Sequence, residues 1–163
     1  MATKFYCARE TPIVFRESTG DAVLTFKNLN VGEGQISARF DRGAGSKPML
    51  YKWKASVAWE TAPIVGEYAE FVLAESDGTI VDGTVGTVDA AMTAGQMSNL
   101  PSIGLVKAQT TDTHTLFVKS GYCLISEQYF SVGVWNASTG DRLENTTGNV
   151  CLISFTPVVD ESQ

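Results

Sequence analysis

Side chains that bind metal ions or act as catalytic nucleophiles are scarce in this sequence. The chain of 163 residues has one histidine, His114, in a threonine-rich segment, and three cysteines, Cys7, Cys123 and Cys151, far apart from one another. It contains no GxSxG motif, and no two cysteines have the spacing of a zinc site. We therefore expect no catalytic residue, no metal and no cofactor. The prediction is a protein that is not an enzyme and has three free thiols.

Basic residues are also few, since 12 Lys and Arg stand against 18 Asp and Glu, for a net charge of −6. This balance argues against nucleic acid as a partner, because such binding depends on cations that neutralise phosphates. The charges are unevenly distributed, with a basic stretch over residues 39–54 and an acidic stretch over residues 60–112. Two solvated faces account for this distribution. Docking to copies of itself or to an acidic scaffold is the alternative, and solvated faces are the stronger interpretation.

The sequence has no apolar run of about 18 residues that would span a bilayer, and its first residues lack the apolar core of a secretory signal. We expect a protein that is made in a reducing cytoplasm and has no membrane partner. Two matches to the N-glycosylation sequon, at Asn136 and Asn145, carry no weight without secretion.

Alternation of apolar and polar residues is the dominant pattern. It is clearest over residues 51–60, where Tyr51, Trp53 and Val57 fall on one side and lysines on the other. A sheet with one buried face and one solvent-exposed face is typical of antiparallel sheets. The prediction is an all-β fold, an antiparallel β-sandwich formed as an eight-stranded jelly roll with a short N-terminal arm. The expected core residues are Phe40, Trp53, Val57, Phe71 and Leu73.

Turn residues and composition suggest how the chain is divided. Residues 1–20 are predicted to form an N-terminal arm or first strand, and residues 21–163 the jelly-roll domain. Gly43 and Gly45 are expected to take positive φ in a turn between strands. The stretch from Asp77 to Asn99 is long for a connection, so it is either a functional excursion or an interface element, with a short helix near residues 89–92.

The residues alone leave three further candidate sites possible, each with weak support. Asp77, Asp82 and Asp89 lie in a glycine-rich segment that suits calcium, although ordinary Asp-Gly turns explain them better because the EF-hand spacing fails. Any pair among Glu67, Glu70 and Glu75 is a candidate for glycoside hydrolysis, but nothing selects a pair. Tyr51, Trp53 and Trp59 would form a sugar-binding platform if exposed, and burial in the core is the stronger interpretation.

A set of motifs resembles a group of small tailed-bacteriophage virion proteins. The shared features are an ISAxxDRGAG stretch in residues 36–45, an aromatic and basic YxW strand at residues 51–53, a PxVGE turn at residues 63–67, an AxSDGT loop at residues 74–79, a VxW-N type segment that here is Val134-Trp135-Asn136, and an acidic terminus at residues 157–163. The resemblance covers most of the chain from Asp21 onward, and residues 1–15 are less similar.

The resemblance implies a jelly-roll capsid decoration, or cement, protein. Such a protein would be a homotrimer on the outside of a phage head, with the phage major capsid protein as its partner and the virion as its location. No catalytic residue is carried over from the family. The alternative is a carbohydrate- or receptor-binding module of a tail fibre or spike, which would need an exposed aromatic platform.

We expect the partner-binding residues to lie in the arm and in the basic stretch, namely Lys4, Phe5, Tyr6, Arg9, Arg39, Arg42 and Lys47. An arm with cations and aromatic side chains can add a strand or apolar anchors to a partner. Under this hypothesis, deleting residues 2–10 would leave a folded trimer that no longer binds heads. If attachment instead runs through residues 39–54, binding would weaken steeply as salt rises.

Overall fold

Strands dominate the chain because apolar and polar residues alternate along most of it. The computed structural model describes residues 5–18, 20–79, 81–82, 88–144 and 151–162, and of residues 5–9 and 160–162 it describes the backbone alone. This part contains one helix, α1 (Ala94–Ser98), and twelve strands. In chain order the strands are β1 (Phe5–Arg9), β2 (Ile13–Arg16), β3 (Ala22–Val23), β4 (Gly34–Ile36), β5 (Phe40–Asp41), β6 (Leu50–Val57), β7 (Tyr68–Ser76), β8 (Ala90–Met92), β9 (Ser102–Lys107), β10 (Phe117–Leu124), β11 (Tyr129–Asn136) and β12 (Leu152–Ser162).

Two six-stranded sheets pack against each other as an all-β sandwich. The first sheet has the order β10–β6–β12–β2–β3, and β1 also pairs with β12. The second has the order β8–β4–β11–β7–β9, and β5 also pairs with β11. All of these pairings are antiparallel except that of β2 with β3.

The main core lies between the sheets and confirms the period-two interpretation. Buried and solvent-facing residues alternate along the whole of strand β6. Tyr51, Trp53, Ala55 and Val57 are buried, and both of its lysines are exposed. The predicted core residues Trp53, Val57, Phe71 and Leu73 are all buried, and Phe40 is partly buried against them. Phe130 lies at the centre of an aromatic cluster with Phe15, Phe40, Tyr51 and Phe155.

The strand count differs from the expected eight because several predicted runs are broken. The run over residues 35–41 was expected to direct Ile36 and Phe40 to one side. Instead, Ser37 interrupts it, since its hydroxyl accepts the N–H of Val132 at 2.9 Å. Ile36 therefore joins a second apolar cluster, whereas Phe40 packs on the main core. The two-sheet sandwich is what the structure shows, and jelly-roll connectivity stays a prediction.

The helix predicted near residues 89–92 is wrong by about one turn. Ala90–Met92 is strand β8, paired with β4, and α1 begins after Thr93. Thr93 and Gln96 form a capping box, in which Gln96 N donates to Thr93 Oγ1 at 3.2 Å and Thr93 N donates to Gln96 Oε1 at 2.9 Å. The carboxylate of Asp89 accepts from Thr25 instead of capping a helix.

The second apolar cluster lies on the outward side of the second sheet. Ile36, Val72, Ala74, Met92 and Leu100 are buried there, with Met97 of α1 packed against them. The loop from Asp77 to Asn99, as far as it is described, therefore covers the chain's own sheet. Within the described residues, no helix has the length and apolar character needed to cross a membrane.

The first twenty residues contribute two strands to the first sheet. Ile13–Arg16 pairs with β12 and with β3, and Phe15 is fully buried. Phe5–Arg9 pairs with the last part of β12, with Phe5 opposite Ser162 and Arg9 opposite Val158. The other strand ladders on β12 end at Pro157, so this two-stranded ribbon has no further partner among the described residues.

Candidate interaction surface

The predicted arm residues are placed by the backbone only. Lys4 lies outside the described residues. Phe5, Tyr6 and Arg9 belong to β1, where they pair with Ser162, Glu161 and Val158. In this structure, the strand that the arm was expected to add to a partner is paired with the chain's own carboxyl-terminal strand.

Arg42 requires a correction, because it is buried with a relative exposure of 8%. Its guanidinium donates to the carbonyl oxygens of Ile125 at 2.8 Å, Glu127 at 2.6 Å and Pro48 at 2.6 Å, and to the hydroxyl of Tyr51 at 3.1 Å. The planar fork of the guanidinium matches these four acceptors. Arg42 therefore holds loops together and is not available to a partner.

Arg39 and Lys47 lie close to Asp41. Gln128 and the N–H of Gly43 donate to the Asp41 carboxylate, and with the charges of Arg39 and Lys47 they hold its pKa below the ordinary value. Arg39 is half-buried and stacks on the ring of Tyr129 at 4.2 Å. Lys47 is exposed in the turn where Gly43 and Gly45 take positive φ, as predicted. The surface around these two cations thus includes a compensating carboxylate.

A different surface combines exposed apolar and basic side chains. It is the outward side of four neighbouring strands of the first sheet, here named the β10–β2 face. Its residues are Val118, Ser120, Tyr122 and Leu124 of β10, Leu50, Lys52, Lys54 and Ser56 of β6, Leu152, Ser154 and Thr156 of β12, and Val14 and Arg16 of β2.

The apolar part of the β10–β2 face follows the edge strand β10. Tyr122 is 63% exposed, Leu124 62% and Val118 48%. A groove of about 580 Å³ lies on the same face between β10 and β2, with Val14, Val118 and Leu152 among its lining residues. Exposed apolar side chains in neighbouring positions on an edge strand are a ready site for association.

The charged residues that belong to this face are all basic. Lys52 and Lys54 are exposed and alternate along β6, and Arg16 lies two strands away on β2. Neither lysine forms an ion pair with any residue that the structure describes. The one carboxylate lining the groove, that of Asp21, accepts the N–H of Val14 at 2.7 Å. A basic face stands out on a chain with a net charge of −6.

The two sheets differ in what covers their outward sides. On the second sheet, α1 and Leu100, which follows it, pack against the outward apolar cluster. The β10–β2 face has no such cover from the residues described. The sequence indicated a strand over residues 115–126 but not that its apolar residues are exposed. In the sequence, the one indication of this surface was that Val118, Ser120 and Tyr122 fall on the same side of that strand.

The aromatic platform considered from the sequence is part of the core. Tyr51, Trp53 and Trp59 have relative exposures of 2%, 3% and 0%, which confirms the core interpretation. Gly104 and Gly121 allow close contact with Trp53, since a Cβ on either residue would lie under 3 Å from its ring. These three rings therefore offer no flat surface to a sugar.

The acidic residues of the suspected calcium loop act separately. Asp77 accepts the N–H of Thr79 at 2.7 Å in an ordinary turn, and Asp82 accepts that of Glu75 at 3.1 Å. Asp89 is bonded to Thr25. Among the described residues, no three His, Cys, Asp or Glu side chains form a group that could hold a metal ion.

Glu67 holds an apolar turn rigid. Its carboxylate accepts the N–H of Ile64 at 2.9 Å and that of Thr139 at 2.6 Å, and Gly66 takes a φ of 99° in the turn. Burial would raise the pKa of Glu67, but these hydrogen bonds outweigh burial and lower it. The turn exposes Ile64 at its tip.

His114 and Glu144 form a pair that the sequence did not indicate. The Nδ1 atom of His114 contacts Oε2 of Glu144, whose side chain is only 1% exposed. The neighbouring thiol of Cys151 donates to the carbonyl oxygen of Glu144 at 2.8 Å. Burial raises the pKa values of Cys123 and Cys151 to about 12, so both thiols are poor nucleophiles.

Comparison with protein-family models and with curated protein sequences finds no match for this chain.

Proposed function

We propose that this chain is a structural virion protein, a decoration protein that binds the outer surface of a phage head and stabilises it. The observation that carries the proposal is the set of motifs between Ile36 and the acidic terminus that resembles small phage virion proteins. The all-β sandwich is compatible with that role. Its fold alone does not specify function, so the proposal depends on the motifs and on a surface suited to binding.

The β10–β2 face supports this role as the binding surface. It combines exposed tyrosine and aliphatic side chains with lysines, and aromatic residues such as tyrosine are enriched where proteins associate. A head-binding protein needs such a surface and needs no catalytic group. The proposed partner is therefore the major capsid protein, and the proposed location is the exterior of the virion.

We further propose that the protein is a homotrimer, because a decoration protein at a threefold junction of the shell is present in three copies. Three copies also increase the strength of attachment, since the second and third contacts become intramolecular once the first has formed. The loop over residues 77–99 was expected to be a functional excursion or an interface element, and its described part packs on its own sheet.

Cryo-microscopy of purified phage particles tests the proposed function. We expect density for the sandwich on the outside of the head. Density in a tail fibre or spike would favour the alternative role as a receptor- or carbohydrate-binding module, and absence from the particle would refute a structural role. Light scattering on the purified protein at micromolar concentration tests the trimer, and a monomer would contradict it.

A further inference from the structure

We propose that the β10–β2 face is the surface by which this protein attaches to its partner, and that the partner presents an acidic protein surface with apolar contacts. This assignment rests on the proposed function, because it identifies the surface that would bind the head. It moves attachment away from the arm and from residues 39–47. The assignment is supported by three properties of this face: no described residue covers its apolar side chains, its charge is basic, and its area is small.

The missing cover is the first observation. The apolar cluster on the outward side of the second sheet is buried with help from the same chain, because Leu100 belongs to it and Met97 of α1 packs against it. The corresponding side of the first sheet leaves Tyr122 and Leu124 more than 60% exposed. Large exposed apolar groups in neighbouring positions mark association sites, because single scattered ones need no explanation but contiguous ones do.

Charge determines the kind of occupant. Lys52 and Lys54 lie on the same side of β6, beside Tyr122 and Ser120 of β10, and Arg16 is about 10 Å away across β12. A second copy that used this same face would bring lysines against lysines, which like-charge repulsion opposes. A partner surface with carboxylates opposite the lysines is attracted instead. Nucleic acid is a poorer match, because the rest of the chain is strongly acidic.

The size of the face fits a contact that is weak alone and strong in several copies. Four strands about 4.8 Å apart, with up to eight residues of about 3.3 Å each, cover on the order of 500 Å². Stable protein interfaces bury about 800 Å² on each partner. One face is thus below that size, and attachment gains from the three faces of the proposed trimer.

Heads assembled without this protein and emptied of DNA provide the probe. Binding of the full chain is measured by cosedimentation as salt rises from about 0.1 M to about 1 M, over which the Debye length falls from about 10 Å to about 3 Å. We expect K52E/K54E to weaken binding at least tenfold at the lower salt and to flatten the salt dependence. The matched control K27E/K107E has the same charge change at exposed lysines off the face, and binding within twofold of the original chain is expected.

A second variant separates apolar contact from charge. Y122S/L124S removes the two most exposed side chains of β10, and we expect weaker binding with an unchanged salt dependence. Circular dichroism and melting temperature check that each variant is folded, as expected for exposed positions. If K52E/K54E binds as the control does, the assignment of this face is wrong while the proposed function stands.

Three other results also overturn the assignment. A change of oligomeric state in K52E/K54E, seen by light scattering, would mean that another copy of the chain occupies the face. No binding of the unmodified chain to heads would overturn the proposed function, and the assignment with it. Tight binding to naked DNA, reduced in K52E/K54E, would identify nucleic acid as the occupant instead.

Discussion

The guanidinium of Arg42 donates a hydrogen bond to the hydroxyl of Tyr51 at 3.1 Å and lies over the Tyr51 ring, 5.3 Å from its centroid. Tyr51 belongs to β6, and the carbonyl groups that the same guanidinium binds belong to Pro48, Ile125 and Glu127. Arg42 thus ties the start of β6 to the loop that joins β10 and β11. Arg42, which the sequence placed in a basic stretch suited to binding a partner, is therefore a buried structural residue.

We expect Arg42→Ala to lower the free energy of unfolding by about 3 kcal/mol, because buried carbonyl groups lose their donors. For a chain of this size, that corresponds to a fall in melting temperature of about 6–12 °C. Calorimetry measures it. Arg39→Ala is the control, since loss of a half-exposed stacking contact costs about 1 kcal/mol or less. Equal melting temperatures for the two variants would contradict the structural role of Arg42.

Glu67 should make stability depend on pH in the acid range. Its pKa is lowered in the folded state from an ordinary value near 4.5, so its contribution is full above that value and is lost as pH falls through the folded pKa. We expect Glu67→Gln to be less stable than the original chain at about pH 7, with the difference shrinking below about pH 4.5. Urea unfolding at a series of pH values measures this difference.

Asp141 provides the control for that titration. Burial and the charge of Glu67 raise its pKa, so its contribution is present at low pH and is lost as pH rises through the folded pKa, the opposite sense to Glu67. The Glu67→Gln comparison should therefore also be made in an Asp141→Asn background. A difference that stays constant from neutral to acid pH in both backgrounds would contradict the role given to Glu67.

Thiol labelling should be slow in the folded protein. With pKa values of about 12 for Cys123 and Cys151, the thiolate fraction near neutral pH is very small. In a Cys7→Ser variant, we expect iodoacetamide to react about a hundredfold or more slowly with the folded chain than with the chain in guanidinium. Mass spectrometry gives both rates. Folded-state labelling within tenfold of the denatured rate would show that the thiols are accessible and ionisable.

Deletion of residues 2–10 separates the arm from the β10–β2 face. Among the residues that the structure describes, the removed strand pairs with the last part of β12 alone, and a two-stranded ribbon adds little stability by itself. We expect a folded sandwich that still binds heads to within about threefold of the full chain, because the exposed face is intact. Cosedimentation with the heads measures this binding. Loss of binding with the fold retained would show that the arm, and not the face, is the attachment site.

The sequence by itself determined the fold class and most of the core. Side chains of a strand point alternately to opposite sides, so the alternation over residues 51–57 specified which side of β6 is buried before any contact was known. The turn with Gly43 and Gly45 followed from the freedom of glycine at positive φ. The scarcity of histidine and cysteine predicted the absence of a catalytic site, which stays a prediction.

Only the tertiary structure decided which polar residues are buried and which apolar residues are exposed. Arg42 is buried because acceptors from Ile125 and Glu127, more than eighty residues away, converge on it. Val118 and Tyr122 are exposed because none of the described residues covers the outward side of the first sheet, whereas α1 and Leu100 pack on that of the second. Alternation tells which residues share a side, but whether that side meets another layer or solvent depends on contacts distant in sequence, and these alone distinguish a core from an interaction surface.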